Sequence, residues 1–498
     1  MTAAMTANDW HARAKSLDIR TRAFIDGRHV DALSGKTFET VNPATGETLA
    51  LVAECDAADI DVAVKAARAA FEDRRWAGLA PRERKKRMLR WCELMMANVE
   101  EIALLETLDV GKPISDALAI DAPKSAESIA YYAEAIDKLY GEIGPTGDDA
   151  LSMIVREPLG VVGLVVPWNF PLLMASWKIG PALAAGNSII LKPAEQSPLT
   201  ALRIAELASE AGIPDGVFNV VPGYGETAGQ ALGLHMDVDG IGFTGSTEIG
   251  KYFLRYSADS NMKRVGLECG GKTPHVIPAD CPDLEAAARS VAAGIFFNQG
   301  EMCTAGSRLL VDAKIKDEFL DILKKKAERW TPGDPLDPKT RLGAMVTEGQ
   351  MQRVLDYIDK GREDGAKVVM GGGRVRGESG GYFVEPTIFD GVAPDIRIAQ
   401  EEIFGPVLST ITFDGVDEAM KIANGTIYGL AAAVWTRDVS TAHRAARALR
   451  AGMVWVNCFD ADDITVPFGG YKQSGMGRDK SLHAIEKYTE LKTIWMRV

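Results

Sequence analysis

Residues 158–193 read PLGVVGLVVPWNFPLLMASWKIGPALAAGNSIILKP, and this stretch decides the fold. Two continuous apolar runs, at 158–167 and 188–193, flank a helical segment that Gly186 ends. Apolar runs without alternation are typical of strands buried on both faces, and a helix between them makes a βαβ unit. The sequence therefore predicts a parallel, doubly wound α/β sheet.

The alternation of strands and helices extends in both directions along the chain. VFNVVPG at 217–223 and DGIGFTGS at 239–246 predict further buried strands. A second α/β series from about residue 280 to 470 predicts a separate domain. Residues 57–140 predict long amphipathic helices, and the first 50 residues predict a meander of short strands.

Two segments stand apart from these series. Residues 141–158 predict a hairpin and 471–498 end in a further strand, so together they predict a small β element. We place the first α/β domain at 1–140 and 159–270, and the second at 271–470. Because exposed edge strands are often covered by another subunit, we expect a symmetric homo-oligomer, either a dimer or a tetramer.

The composition of the 498 residues narrows the function classes. The hydrophobic content of 46% is typical of a globular protein, and the net charge of −13 argues against nucleic acid or an anionic membrane as a partner. No apolar run is long enough to span a bilayer, and the first 20 residues lack the apolar core of a signal peptide. The six cysteines lack C-x-x-C spacing and the six histidines lack metal motifs, which favours a reduced, cytoplasmic protein without a metal site.

Two short motifs place polar side chains directly after predicted strands, where ligands bind in such sheets. PWNFP at 167–171 contains Asn169, whose amide could stabilise an oxyanion, although an Asn here is also a common turn former. LKPAEQSP contains Lys192 and Glu195. A carboxylate at this place can accept ribose hydroxyls and repels a 2′-phosphate, although a surface ion pair explains it equally well.

Glycines mark two candidate phosphate-binding turns. Gly223, Gly225 and Gly229 follow G-x-G-x-x-x-G, one residue longer than the dinucleotide fingerprint. Gly245 and Ser246 lie at a strand-to-helix junction, where backbone N–H groups can cradle a pyrophosphate. Each motif alone is a weak signal, because glycines are common at tight turns.

A cysteine and a glutamate supply the candidate chemistry. FFNQGEMCTAGSR at 296–308 puts Cys303 among small and polar residues, and LECGGK at 267–272 puts Glu268 before two glycines. A thiol nucleophile and a carboxylate base are the groups needed to attack a carbonyl carbon and then hydrolyse a thioester. Read separately, Cys303 also fits a buried core thiol, and Glu268 also fits a loop residue.

Seven motifs remove this ambiguity because they occur together, in one order and at one spacing. The chain resembles the aldehyde dehydrogenase superfamily over essentially its full length, and it does so through the sequences PWNFP, LKPAEQSP, FTGSTEIGK, LECGGK, NQGEMC, EEIFGPV and PFGGYKQSG. The resemblance implies a Rossmann-type NAD-binding domain, an α/β catalytic domain and a small β oligomerisation element. It also implies oxidation of an aldehyde to a carboxylate, with NAD favoured over NADP.

The resemblance assigns roles residue by residue. Cys303 is the implied nucleophile, Glu268 the base, Asn169 the oxyanion donor and Lys178 part of a proton path. The implied cofactor contacts are Val166, Pro167, Trp168, Lys192, Glu195, Gly225, Gly229, Phe243, Thr244, Gly245, Ser246, Leu267, Gln350, Glu402 and Phe404. We further expect the thiolate of Cys303 to be better populated than that of a free cysteine. Cys269 departs from the family, which often has Leu or Ala after the base, and adds an oxidisable sulfur.

The two ends of the chain are most similar to bacterial enzymes of putrescine breakdown that oxidise 4-(γ-glutamylamino)butanal or 4-guanidinobutanal. Asp121, Asp460 and Asp463 lie in segments that flank the substrate tunnel in that family. Carboxylates at the mouth would favour a polar or cationic tail, although solvated loop aspartates explain them equally well. The aromatic residues implied in the tunnel are Phe170, Trp177, Phe459 and Phe468.

Several alternative functions remain at this point. A betaine-aldehyde or broad-specificity aliphatic aldehyde dehydrogenase would use the same machinery. A CoA-acylating enzyme usually lacks the base, and enzymes for anionic tails would need arginines where this chain has aspartates. From a different class, a non-catalytic binding or structural homologue would not need Cys303, Glu268 and Asn169 all intact.

Overall fold

The computed structural model describes residues 5–498. Within them, strands and helices alternate as the sequence predicts. The strands are β1 (Ala23–Ile25), β2 (Arg28–Val30), β3 (Thr37–Val41), β4 (Thr48–Ala53), β5 (Glu142–Gly144), β6 (Ala150–Pro158), β7 (Val161–Val165), β8 (Ser188–Lys192), β9 (Phe218–Val220), β10 (Gly240–Thr244), β11 (Arg264–Glu268), β12 (Pro274–Ile277), β13 (Arg308–Asp312), β14 (Lys367–Met370), β15 (Arg374–Val375), β16 (Phe383–Val384), β17 (Thr387–Asp390), β18 (Val407–Phe413), β19 (Ala431–Val434), β20 (Met453–Val456), β21 (Gly475–Met476) and β22 (Thr489–Arg497).

The helices connect and cover these strands. They are α1 (Ala7–Lys15), α2 (Ala57–Glu72), α3 (Pro81–Ala97), α4 (Val99–Val110), α5 (Ile114–Asp116), α6 (Ala122–Ala135), α7 (Pro171–Ala185), α8 (Leu199–Glu210), α9 (Gln230–Leu234), α10 (Thr247–Ala258), α11 (Leu284–Phe296), α12 (Lys316–Ala327), α13 (Glu348–Glu363), α14 (Arg397–Gln400), α15 (Val416–Asn424) and α16 (Val439–Ala448). Two π-helical turns, Ala117–Asp121 and Gly225–Gly229, precede α6 and α9.

The first sheet has eight strands in the order β2-β1-β9-β8-β7-β10-β11-β21. Strands β9, β8, β7, β10 and β11 are mutually parallel, which confirms the doubly wound arrangement. The chain begins this parallel part at β7 and builds outward on both sides, so the strand order reverses between β7 and β10. In such sheets ligands bind outside the carboxyl ends of the strands at this reversal.

The second sheet has seven strands in the order β14-β17-β18-β13-β12-β19-β20. All are parallel to their neighbours except β14, which is antiparallel to β17. The loop that carries Cys303 connects α11 to β13 near the middle of this sheet. The chain thus contains a second α/β sheet, and the prediction that residues 271–470 form a separate domain stays a prediction.

Three turns follow from local sequence. Gly111 and Gly186 end α4 and α7 in left-handed conformations with φ values of 84° and 103°, as predicted from the glycine positions. Asp26 and Gly27 form the two-residue turn between β1 and β2, both with positive φ. A turn of this kind matches the twist of the strands that it joins.

The third sheet has the order β22-β6-β5 and is antiparallel. The predicted hairpin at 141–158 and the terminal strand therefore form one small element. The boundary at 471 is wrong, however, because β21 pairs with β11 in the first sheet and is part of that domain. No helix among residues 5–498 is long and apolar enough to cross a membrane.

Candidate active site

A cavity of about 650 Å³ opens at the carboxyl ends of β7 and β10 and extends to the loop before β13. Cys303 and Asn169 both line it. The lining residues that were predicted for the cofactor are Pro167, Trp168, Thr244, Gly245, Ser246, Gln350, Glu402 and Phe404, and those predicted for the substrate are Phe170, Trp177, Asp463 and Phe468. Residues from six of the seven motifs are thus brought together in one cavity, whereas LKPAEQSP lies outside it and the side chains of Glu268 and Lys178 do not line it.

The loop that carries Cys303 has a strained start. Asn298 and Gln299 follow α11 with φ values of 47° and 59°, an unusual conformation for two consecutive non-glycine residues. The Asn298 side chain stabilises the turn by donating to the carbonyl oxygens of Asn169 (3.1 Å) and Glu301 (3.2 Å). Strain of this kind persists only where surrounding contacts enforce it, and it is common at active sites.

Asn169 is fixed against the same loop. Its side-chain amide donates to the carbonyl oxygen of Glu301 at 2.7 Å, and the residue is almost fully buried. An amide nitrogen carries two N–H donors, so one remains free after this hydrogen bond, in a residue that lines the same cavity as Cys303. The geometry therefore supports an oriented donor and not a simple turn former.

The surroundings of Cys303 raise its pKa. Burial has the largest effect, and the carboxylates of Glu402, Glu268 and Asp460 act in the same direction. The expectation of a well-populated thiolate is therefore wrong for the protein alone, because the site is acidic and desolvated. A positive charge delivered to the cavity would lower the pKa of this thiol.

Glu268 ends β11, directly beside Thr244 at the end of β10. Its carboxyl group is buried, and neither oxygen has a hydrogen-bond partner among residues 5–498. Burial raises its pKa well above the ordinary range, and Asp479 adds to the rise. A Cβ atom on Gly469 would lie 2.8 Å from Glu268 Oε1, so the glycine leaves the carboxyl group the room that it needs.

Lys178 belongs to a buried charge network behind Glu268. Its ammonium group lies 2.6 Å from the carboxylate of Asp479, and both side chains are fully buried. Lys487 contacts the other oxygen of the same carboxylate. Burial opposes ionisation of Asp479, but the two lysines outweigh it and lower its pKa. Sequence reasoning missed Asp479 and Lys487, since about 300 residues separate them from Lys178.

The cofactor side of the cavity presents a helix N-terminus and two aromatic rings. Ser246 is the N-cap of α10, and its hydroxyl accepts from the N–H of Ile249 at 3.2 Å. Free N–H groups at such a terminus bind phosphate groups. The rings of Trp168 and Phe404 meet edge to face with centroids 5.2 Å apart.

Hydrogen bonds position the loop that contains Glu402 and Phe404. Glu402 accepts from the N–H of Gly271 at 2.9 Å, and burial raises its pKa to about 7. Gln350 donates to the carbonyl oxygen of Phe404 at 2.7 Å, and Phe404 has a φ of 61°. A Cβ atom on Gly270 would overlap the Glu402 carboxylate, so glycine is required there.

Lys192 ends β8 and Glu195 follows that strand, both outside the cavity, with Lys192 Nζ and Glu195 Oε2 3.5 Å apart. Burial lowers the pKa of Lys192, and its ammonium also donates to the carbonyl oxygen of Pro193. Gly229 lies against the aliphatic stem of Lys192, and Gly225 has open space above it.

These groups fit a dinucleotide. The buried hydroxyl of Thr244 has no hydrogen-bond partner within residues 5–498, and it lines the cavity next to the α10 terminus. The half-exposed Glu195 leaves a carboxylate for ribose hydroxyls. Besides Lys192, Glu195, Gly225 and Gly229, three more predicted cofactor contacts do not line the cavity, because their side chains pack into the core: Val166, Phe243 and Leu267.

Aromatic side chains form the walls of the substrate side. Trp177 and Phe468 pack with ring centroids 5.1 Å apart, and Phe170 lies 6.3 Å from Phe297. Phe297 and Trp455 also line the cavity, and sequence reasoning assigned neither of them to the substrate site. The site can therefore enclose an apolar chain that ends in an aldehyde.

Three carboxylates open into this part of the cavity. Asp460 and Asp463, both named from the sequence, are joined by Asp462, which sequence reasoning missed. The surrounding protein raises the pKa of Asp460 to about 6. Within residues 5–498 no group of three or more His, Cys, Asp or Glu side chains is arranged to hold a metal ion.

Two predicted substrate contacts are wrong. Asp121 is fully buried at the end of a π-helical turn, where it binds Lys112 at 2.6 Å and does not reach the cavity. Phe459 packs behind the wall, with its ring 4.1 Å from His275 and 4.7 Å from Trp455. Both act on the tunnel only through neighbouring residues.

Comparison with known proteins agrees with this geometry. The model of the aldehyde dehydrogenase family matches residues 29–494. The NADP/NAD-dependent aldehyde dehydrogenase PuuC of Escherichia coli K12 is 54% identical over 487 residues, which cover 98% of each chain.

Two solved structures are also similar over nearly the whole chain. The indole-3-acetaldehyde dehydrogenase AldA of P. syringae, in complex with NAD⁺ and IAA, is 59% identical with a TM-score of 0.98. The gamma-glutamyl-gamma-aminobutyraldehyde dehydrogenase of Burkholderia cenocepacia J2315 is 58% identical with a TM-score of 0.97. Each match covers 99% of this chain and 100% of the other.

Proposed function

Because this chain belongs to the aldehyde dehydrogenase family and is an NAD-dependent aldehyde dehydrogenase, we propose that it oxidises ω-aminoaldehydes to carboxylates. One observation carries the substrate class: Asp460, Asp462 and Asp463 open into the aromatic-walled cavity that contains Cys303. Carboxylates attract a cationic or zwitterionic tail, such as that of 4-guanidinobutanal or 4-(γ-glutamylamino)butanal. The Burkholderia relative carries the name of an aminobutyraldehyde enzyme, which supports this proposal.

The proposed first step is nucleophilic addition. Cys303 releases its thiol proton to solvent that enters the cavity, and its sulfur forms a bond to the carbonyl carbon while the π electron pair of the carbonyl moves to the oxygen. The carbonyl oxygen becomes an oxyanion, which accepts hydrogen bonds from the free N–H of Asn169 and from the backbone N–H of Cys303. Because Asn169 is already held by Glu301, this stabilisation requires no reorganisation during the reaction.

The proposed second step converts the adduct to the product. Bound NAD would accept the hydride that leaves the former carbonyl carbon, so that a thioester remains on Cys303. Glu268 then takes a proton from water, the water oxygen bonds to the acyl carbon, and the Cys303 sulfur leaves. Since burial raises the pKa of Glu268 and so favours its protonated form, the carboxyl group must first release a proton, for which we propose the Lys178–Asp479 network as the route.

The proposed cofactor contacts favour NAD. Glu195 would accept hydrogen bonds from both hydroxyls of the adenosine ribose and would repel a 2′-phosphate. Lys192 is held beside it, and Ser246 marks the helix end where the pyrophosphate would lie. The name of the PuuC relative includes NADP as well as NAD. The kcat/KM values with NAD and with NADP should therefore be compared.

We also propose a cytoplasmic homo-oligomer, dimer or tetramer, assembled through the small sheet. Strand β22 forms an edge of that sheet and exposes Leu491, Trp495 and other apolar side chains. Such an edge is normally covered. Trp495→Asp should lower the molar mass measured by light scattering, and an unchanged mass would contradict the assignment. All six cysteines are free, which supports a reducing compartment.

The substrate proposal is tested by kcat/KM values with NAD and NADP for 4-guanidinobutanal, 4-(γ-glutamylamino)butanal, betaine aldehyde, indole-3-acetaldehyde and propanal. We expect the first two to be preferred, and Asp460→Asn to reduce that preference about tenfold while propanal changes little. Equal values for all five would favour a broad-specificity enzyme. A preference for indole-3-acetaldehyde would instead assign the aromatic walls to an aromatic substrate.

A further inference from the structure

Lys480 places a positive charge inside the acidic part of the substrate cavity. The residue is 1% exposed and lines the cavity together with the three aspartates. Its ammonium group contacts the carboxylate of Asp462 and lies 5.3 Å from the centroid of the Trp177 ring. An ammonium group between a carboxylate and an aromatic face occupies the position where a cationic substrate tail would otherwise bind.

The backbone fixes this lysine in the cavity. Lys480 and Ser481 are consecutive left-handed residues with φ values of 61° and 51°. The preceding residue, Asp479, forms two backbone hydrogen bonds of 2.8 Å with the cavity residue Phe468. Its side chain is held by Lys178 and Lys487, so the position of Lys480 is determined by buried contacts on both sides.

We propose that Lys480 is a specificity-determining residue that neutralises Asp462 and so lowers the preference of the cavity for singly cationic tails. The proposal rests on the proposed substrate class and refines it. With Lys480 charged, Asp460 and Asp463 are the carboxylates left for a tail. A zwitterionic tail tolerates the added cation better than a simple cation does, because its own carboxylate can face the lysine.

The charged groups around Lys480 determine the pH at which the lysine loses its charge and no longer lowers the preference for cationic tails. Asp460 and Asp462 face it from the loop before Phe468, and Lys124 faces it from α6. Burial lowers the pKa of Lys480 to about 8, with Lys124 acting in the same direction and Asp460 opposing. Because the lysine is charged below this pKa and neutral above it, selectivity for cations should rise as the pH increases through 8.

A matched pair of aldehydes isolates this charge effect. The quaternary cation 4-(trimethylammonio)butanal and its neutral isostere 5,5-dimethylhexanal differ in one atom, and neither tail titrates. The ratio of their kcat/KM values cancels the effect that ionisation of Cys303 and Glu268 has on the chemical steps, because both substrates share those steps. In Lys480→Met we expect this cation-to-neutral ratio at pH 7 to rise on the order of tenfold, since a nearby unit charge is removed.

Two further variants separate charge from structure. Asp462→Asn leaves Lys480 unneutralised, so the ratio should fall, whereas damage to the fold would move both variants in the same direction. Lys124→Met removes the same charge at the exposed rim, where its partner is Glu127, and should change the ratio less than about twofold. An unchanged or lower ratio in Lys480→Met would overturn the proposal.

The wild-type enzyme provides a test that needs no substitution. Its cation-to-neutral ratio should increase severalfold between pH 7 and 9, and the increase should be absent in Lys480→Met. A flat wild-type ratio over this range would also overturn the proposal. A different result would contradict the proposed substrate class. That result is a wild-type cation-to-neutral ratio below one together with no effect of Asp460→Asn on this ratio.

Discussion

Replacing Lys178 with methionine removes one of the two ammonium groups that hold Asp479 ionised behind Glu268. Lys487 and Lys178 both lower the pKa of Glu268, against burial and Asp479, which raise it. At an effective dielectric near 20, a unit charge several ångströms from a carboxyl group contributes roughly 2 to 3 kcal/mol, or about 1.5 to 2 pKa units. Without Lys178 the pKa of Glu268 should therefore rise further.

The sign of the effect on turnover follows directly. A base with a raised pKa is protonated over a wider pH range, so hydrolysis of the thioester should require a higher pH. The steady-state rate of Lys178→Met should still rise with pH. We expect the pH at which this rise occurs to be one to two pH units higher than in the wild-type enzyme. The first burst of NADH, which precedes hydrolysis, should keep the wild-type pH dependence.

Stopped-flow absorbance between pH 6 and 10 measures both phases. Lys263→Met is the matched control, because Lys263 is also a buried lysine of lowered pKa but binds the carbonyl oxygen of Gly233 away from the cavity. In that variant the pH dependences of the NADH burst and of the steady-state rate should both equal those of the wild type. The reasoning is refuted if the pH dependence of the steady-state rate is the same in Lys178→Met as in the wild type. It is also refuted if the pH dependence of the NADH burst shifts together with that of the steady-state rate.

Three further outcomes are expected. Asn169→Ala should lower kcat by roughly 100- to 1000-fold with little change in NAD binding, since one oxyanion donor is lost; a decrease below fivefold would argue against that role. Lys112→Met leaves Asp121 and Glu106 buried without their cation, and should destabilise the fold by about 3–5 kcal/mol in denaturant unfolding; an unchanged midpoint would contradict this. Glu268→Gln should keep a rapid NADH burst but turn over slowly, and a wild-type steady-state rate would exclude Glu268 as the base.

The sequence predicted the sheets well because their signals are local. Continuous apolar runs separated by helices specify buried parallel strands, and the glycines at 111 and 186 stop helices wherever the chain folds. Asn169 and Ser246 could be placed at the cavity because each directly follows a strand of the first sheet. Such positions are determined by the topology alone.

The remaining features depend on long-range packing. Asp121 has the same local signals as an exposed loop aspartate, and only its contact with Lys112 shows that it is buried. The pKa of Cys303 is raised first by burial and then by carboxylates that lie 35 to 157 positions away in the sequence. Lys480 lies in a polar segment, and its left-handed backbone conformation directs its side chain into the cavity. No periodic pattern in the sequence predicts this position.

The most direct test of the account is mass spectrometry of enzyme quenched during turnover of 4-guanidinobutanal with NAD, using Glu268→Gln to slow hydrolysis. The account predicts one added acyl group, located on the peptide that contains Cys303. The cavity residue Cys269 should remain unmodified. An enzyme that turns over without any adduct, or with the adduct on Cys269, would contradict covalent catalysis by Cys303.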